Sequence, residues 1–233
     1  MRILAFESSA KSAAVALLQD GDLLGEYYQN GGQTHSRTLM KMAVDLIANC
    51  DLTEQDIDAV AVAAGPGSFT GVRIGVAAAK GFAWARELPC YGVSTLEAMA
   101  MAAAHMDGLV CAAMDARRSQ VYNGLFLAKD GKLTRYSEDR AIALEELAEE
   151  LARFDGKIIL VGDGAALCYK TLGERLPNMM LMPEHLRMQR ASGVALLAHQ
   201  MAEAGLRPSG TELTPNYLRL SQAEREKLAR EQG

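Results

Sequence analysis

The run Gly65-Pro66-Gly67-Ser68-Phe69-Thr70-Gly71-Val72-Arg73-Ile74-Gly75 constrains this chain more than any other stretch. It follows an apolar segment of strand length, Ala59 to Ala64, and leads into a helical run from Val72 to Arg86 crowded with small residues. Glycines and a proline between a strand and a helix make a tight turn that larger side chains obstruct. Two readings of such a turn stand side by side. Backbone N–H groups at the helix start hold an anion, or the glycines let two pieces of backbone pack closely. No Lys-Ser/Thr pair follows the last glycine, which excludes the phosphate loop of P-loop enzymes.

Around this turn the chain reads as alternating strands and helices. Ile3 to Phe6 is a buried strand, Ala13 to Leu18 a second and Leu23 to Tyr28 a third, the last two joined by the Asp20-Gly21 hairpin turn. A helix from about Ser36 to Asn49 follows, with Thr34 as its N-cap. After the glycine run come a short strand from Pro89 to Val93 and a helix opened by the capping box Ser94-Thr95-Leu96-Glu97 and running to about Met106. The second half repeats the order. Strands fall at Leu109 to Met114, Val121 to Ala128 and Leu133 to Tyr136, then a helix carrying Leu144, Leu147, Ala148 and Leu151, and a strand from Lys157 to Val161. A short helix, an irregular stretch from Pro177 to Pro183, and a helix from Ser192 to Ala204 capped by Gly205 complete it. The duplication lies in element order, not in residues. It predicts two related α/β lobes with mixed sheets facing one another. The lobes span residues 1–107 and 108–206, the second reduced, and a tail covers 207–233 with a charged helical segment around Glu224, Arg225, Glu226 and Lys227.

Composition narrows the class. With 49% hydrophobic residues in 233, a sizeable core can be buried. A net charge of −5 argues against a protein that grips nucleic acid alone. Cys50, Cys90, Cys111 and Cys168 lie far apart with no C-x-x-C spacing, which points to reduced, mostly buried thiols. The N-terminus meets Glu7 too early for a signal peptide, and no apolar run is long enough to span a bilayer. The expectation is a cytoplasmic protein with no membrane partner.

The duplicated layout resembles the actin-like, sugar-kinase (ASKHA) superfamily. More specifically, the chain resembles the TsaB (YeaZ) family through Leu4-Ala5-Phe6-Glu7-Ser8-Ser9, Thr34-His35-Ser36 and the Gly65–Gly75 run. The likeness continues through Gly92-Val93-Ser94-Thr95-Leu96, Met114-Asp115-Ala116-Arg117-Arg118 with Val121-Tyr122, and Pro215-Asn216-Tyr217-Leu218-Arg219. This resemblance implies a non-catalytic subunit of the bacterial machine that makes threonylcarbamoyladenosine in tRNA. It would dimerise with a TsaD-type transferase acting on the adenosine beside the anticodon of ANN-decoding tRNAs, and a TsaE-type ATPase would join the pair. tRNA is then met through the complex, and ATP or ADP and metal belong to the partner subunits. In the superfamily an acid ends the first strand of each lobe and handles a metal–nucleotide, and a Gly-rich turn in the second lobe cradles adenosine. Glu7, Ser8, Ser9, Asp115, Gly162, Asp163 and Gly164 are thereby candidates for a nucleotide site.

The residues themselves offer no reactive centre of a known pattern. The catalytic relative's His-x-x-x-His pair would fall in Val93-Ser94-Thr95-Leu96-Glu97-Ala98-Met99, where no histidine stands. His35, His105, His185 and His199 have no ligand spacing among them. Ser68 does not sit in a G-x-S-x-G elbow. The alternative is an ATPase or kinase of the same fold that uses Glu7 and Asp115; a metallopeptidase stands third. Arg117 and Arg118 admit two readings, a solvated turn or a contact to phosphate.

Two helices look too apolar for one-sided packing. Leu39, Met40, Ala43 and Ile47 on the first, with His35 and Ser36 at its start, are candidate partner contacts. So are Val72, Gly75, Val76, Ala79, Phe82 and Ala83 on the second, where small residues permit close helix approach. The expectation is a homodimer when alone and a heterodimer with the catalytic relative, the two sharing one surface.

Overall fold

A computed structural model describes residues 1–219. The charged tail segment around Glu224 to Lys227 lies outside the described residues.

Two mixed sheets form, each built the same way. In the first, β1 (Arg2–Glu7), β2 (Ala13–Gln19) and β3 (Asp22–Gln29) are antiparallel, while β4 (Ala59–Ala63) and β5 (Cys90–Val93) run parallel to β1, giving the order β3-β2-β1-β4-β5. In the second, β6 (Gly108–Asp115), β7 (Gln120–Lys129) and β8 (Lys132–Arg135) are antiparallel. β9 (Arg140–Ala143) pairs with β7, and β10 (Ile158–Val161) and β11 (Met179–Leu181) run parallel to β6, in the order β11-β10-β6-β7-β8. The expected duplication is therefore one of topology. Both hairpins turn through Asp-Gly pairs with positive φ, Asp20-Gly21 and Asp130-Gly131, the left-handed conformation that a two-residue hairpin loop requires.

Alternation along the strands assigns the helices to faces. Leu4, Phe6, Val15, Leu17, Val60 and Val62 point to one side of the first sheet, where α1 (His35–Asn49) and α2 (Phe69–Trp84) cover them. Ile3, Ala5, Ala14, Ala16, Ala59, Ala61 and Ala63 point to the other. On the second sheet, α4 (Leu144–Leu151) and α5 (Ala165–Leu172) cover the outer face, and α3 (Thr95–Ala100) covers the inner face at Val110, Ala112, Phe126 and Ile159. A short α6 (Glu184–Arg187) precedes α7 (Ala191–Glu203), which lies on the alanine-rich face of the first sheet and against α3. A Cβ at Gly193 of α7 would overlap the Ala98 carbonyl of α3, so glycine there sets the close crossing of these two helices.

Several expectations change. The second lobe is not the unbroken segment 108–206, because α7 packs on the first sheet: its Ala191, Val194, Ala195 and Ala198 fit alanines that no other helix covers. The sheets do not face one another directly, since α3 and α7 stand between them. The tail begins as a strap. Cys90 donates its amide to the Pro208 carbonyl, and Leu213 is buried against Gly92 and Ala64, so residues 207–219 cover the edge strand β5. Thr34 takes the N-cap position of α1 but makes no side-chain cap bond, whereas the Ser68 hydroxyl accepts from the Gly71 amide at the start of α2. The expected helix from Ser94 to Met106 ends as an α-helix at Ala100 and continues as a single 3₁₀ turn.

Candidate functional site

The segments that follow β1, β4, β6 and β10 meet around a cleft of about 540 Å³, and the strap forms its remaining wall. Ser9, Lys11, Ser68, Phe69, Asp115, Arg117, Asp163, Tyr217 and Arg219 line it. Ser9, Asp115 and Asp163 are thus brought together as the strand-end pattern suggests. Glu7 is not among the lining residues. Its side chain is buried, with Oε1 accepting from the Ser9 amide at 2.6 Å and Oε2 without a partner among the described residues. Burial, with the charge of Asp163 adding to it, pushes the Glu7 carboxyl up to about 7. Asp163 is also raised, mainly by burial, and its Oδ1 accepts from Gln189 Nε2 at 2.6 Å. Asp115 is exposed and accepts from the Arg117 amide at 2.7 Å.

The glycine run turns out to be a packing device. Cβ atoms added at Gly67 and Gly71 would overlap the carbonyl oxygens of Ser9 and Ser8, and one at Gly75 would press on Ser8 Oγ. Ser8 Oγ donates to the Gly71 carbonyl at 2.9 Å, and the Ser68 amide donates to the Ser9 carbonyl at 2.6 Å. Ser8 and Ser9 therefore fill the turn from beneath. The second Gly-rich turn is filled in the same way. Gly162 donates its amide to Arg187 and Gly164 to Ala113, and Cβ atoms at either glycine would meet the backbone of residues 113–115. The Ser68 and Gly71 amides of the first turn and the Gly162 and Gly164 amides of the second are spent on the chain's own oxygens, so the residues present do not fit a bound nucleotide at Gly162 and Gly164. Among the described residues no three His, Cys, Asp or Glu side chains converge as metal ligands.

The wall made by the strap was not foreseen as a site. Phe69 stacks on Tyr217 with ring centroids 4.7 Å apart. Arg73 lies over the Phe69 ring at 3.8 Å and donates Nε to the Tyr217 hydroxyl at 2.8 Å. Beyond it, Arg219 donates to the Ala116 carbonyl at 2.7 Å, tying the strap to the β6–β7 turn. The glycine-run motif and the C-terminal motif interlock here. An aromatic followed four residues later by arginine at a helix start, and a second aromatic–arginine pair in the tail, were the only signal.

The candidate partner residues divide. Leu39, Ala43, Ile47, Val72, Gly75, Val76, Ala79 and Ala83 are buried inside the first lobe, spent on its own sheet. His35 is half-buried, its Nε2 paired with the Ala10 carbonyl at 2.8 Å, and Phe82 is half-buried too. Ser36 and Met40 are exposed. The outward stripes are instead Ser36, Met40, Val44 and Ala48 on α1 and Arg73, Ala77 and Gly81 on α2, with Trp84 at the end of α2. Met40 is 38% exposed, Val44 47% and Trp84 75%.

Duplicated mixed sheets, central helices and an inter-lobe cleft define an actin-like, ASKHA-type protein. A solved dehydratase component A from Acidaminococcus fermentans shares this fold at 12% identity with a TM-score of 0.51. Residues 27–227 match the model of the family described as TsaD, tRNA N6-adenosine threonylcarbamoyltransferase. The chain is 35% identical over 225 residues to the tRNA threonylcarbamoyladenosine biosynthesis protein TsaB of Bacillus subtilis, covering 96% of each. To the protein of the same name in Escherichia coli it is 32% identical, covering 94% of this chain and 95% of the relative. The solved structure of YeaZ from Pseudomonas aeruginosa superposes with a TM-score of 0.76 at 27% identity, over 93% of this chain and 99% of that one. Within that class, the chain belongs to the TsaB family.

Proposed function

We propose that this chain is an accessory subunit in the synthesis of threonylcarbamoyladenosine in tRNA, with no reactive centre and no cofactor of its own. One observation carries the reading: Ser8 and Ser9 fill the glycine turn from beneath and spend its groups on the chain's own backbone, and Glu7 is sealed under them. A scaffold kept for its shape works through its surface. The outward stripe of α1, with Met40 and Val44, and the far end of α2, with Trp84, are the docking face for a TsaD-type transferase in the cytoplasm. The same face pairs two copies when the transferase is absent, which makes the two assemblies exclusive. A TsaE-type ATPase joins the heterodimer and brings the nucleotide chemistry.

Co-elution and light scattering with a TsaD-type partner test the pairing. Val44→Arg changes an exposed position, so it abolishes both the heterodimer and the homodimer while the circular-dichroism spectrum stays as in the parent. Ala79→Arg is the wrong probe, because Ala79 is fully buried and the variant fails to fold. In a reconstituted modification assay the reaction requires this chain and tolerates Glu7→Gln. Threonylcarbamoyl transfer by the chain alone would end the proposal.

A further inference from the structure

We infer that the rim of the inter-lobe cleft is a direct contact site for RNA, binding a phosphodiester segment with an unstacked base on the Phe69–Tyr217 platform. The inference rests on the proposed role in tRNA modification and names a place where this chain itself touches the RNA.

Lys11 follows β1, Arg117 and Arg118 form the β6–β7 turn, Arg219 ends the strap and Arg73 stands on α2. Lys11, Arg117 and Arg219 line the cleft, and Arg73 lies against the two aromatic rings that form its wall. None of the five is in an ion pair among the described residues. Unpaired cations gathered from four segments on a chain of net charge −5 are a local field, not a general one. The turn that presents two of them holds Arg117, Arg118 and Ser119 at φ of 61°, 54° and 55°. Three consecutive non-glycine residues in the left-handed region carry a backbone penalty of roughly 1–2 kcal/mol each. Both arginine side chains of this turn stand in solvent.

The acids facing the rim are Asp115 and Asp163. Asp163 lies on the floor, half-buried and bonded by Gln189, and Asp115 accepts from the turn's own Arg117 amide. Phosphate is thus repelled from the floor and held at the rim. Proteins bind single-stranded nucleic acid by stacking bases on aromatic rings beside a basic groove. Arg73 reinforces the platform from one side, and Tyr217 remains 38% exposed on it.

The test is binding of an unmodified tRNA transcript to the full chain with no partner present, at 50 and 200 mM salt. Arg117→Glu/Arg118→Glu is expected to weaken binding at 50 mM by at least about tenfold and to lower the salt slope by about two. Tyr217→Ala is expected to weaken it with the slope unchanged. Lys129→Glu/Lys132→Glu makes the same change of charge at the exposed β7–β8 hairpin and is expected to bind as the parent does. Equal losses in both charge-reversal variants, an unaltered slope in the first, no binding by the parent at 50 mM, or complete displacement of RNA by magnesium-ATP would each overturn the inference. Because the assay contains no transferase, its failure is separable from failure of the accessory role, which is read by reconstitution.

Discussion

Glu7 shows how a single residue reports on what a cleft is for. A carboxyl at the end of a first strand has the position of a metal–nucleotide ligand, and sequence can read that position. What sequence does not show is that Ser8 and Ser9 fold over it, because that depends on glycines more than fifty positions later. Sealed there, Glu7 titrates near 7 instead of 4.5. The folded state therefore keeps a proton that the unfolded chain releases between these values. Stability from this group is fully present below pH 4.5, is lost as pH rises towards 7, and is constant above that. The shift corresponds to about 3 kcal/mol in a fully buried group. Glu7→Gln keeps the acceptor for the Ser9 amide and never ionises. Its melting temperature is expected to match the parent at pH 4.5 and to exceed it at pH 8, measured by differential scanning calorimetry. A constant difference across that range would mean that Glu7 is ionised in the fold.

Within α2 the two uses of glycine separate. Gly71 faces Ser8 so closely that a methyl group has no room, while Gly81 faces open space. Gly71→Ala is expected to cost about 3 kcal/mol, since backbone on both sides must move. Gly81→Ala is expected to stabilise by about 1 kcal/mol, the helix-propensity difference alone. Urea denaturation of the two variants checks both signs; equal small effects would mean that the turn has slack. From sequence, the small residues of α2 look like one continuous partner-facing stripe. Their burial was not legible because periodicity locates a stripe but not what covers it, and Val72, Val76, Ala79 and Ala83 meet the chain's own sheet. The strands were legible where alternation or an Asp-Gly turn marked them. β11, with three residues lying between Pro177 and Pro183, was too short to show a period, and β9 runs straight into α4 with no turn to mark its end.

Across the whole molecule, the order of elements predicted two lobes but not what fastens them. α7 is apolar around most of its surface, and nothing in such a helix says which of two sheets it covers. The alanines of β1, β2 and β4 decide it, since only that face leaves room for a helix to approach. The strap is the second fastener. It runs along β5, stacks Tyr217 on Phe69 and reaches Ala116 of the other lobe through Arg219. Arg73 and Tyr217 are 144 positions apart, so their contact closes a long loop of chain. A double-mutant cycle isolates this joint. Phe69→Ala removes the stack and the ring beneath Arg73; Tyr217→Ala removes the stack and the bond from Arg73; the double variant removes all three. Only the stack is counted twice by the single variants, so their losses exceed that of the double variant by the stacking energy, expected to be about 1 kcal/mol. Strict additivity in denaturation would mean that the rings do not touch in solution, and the aromatic platform of the cleft would go with them.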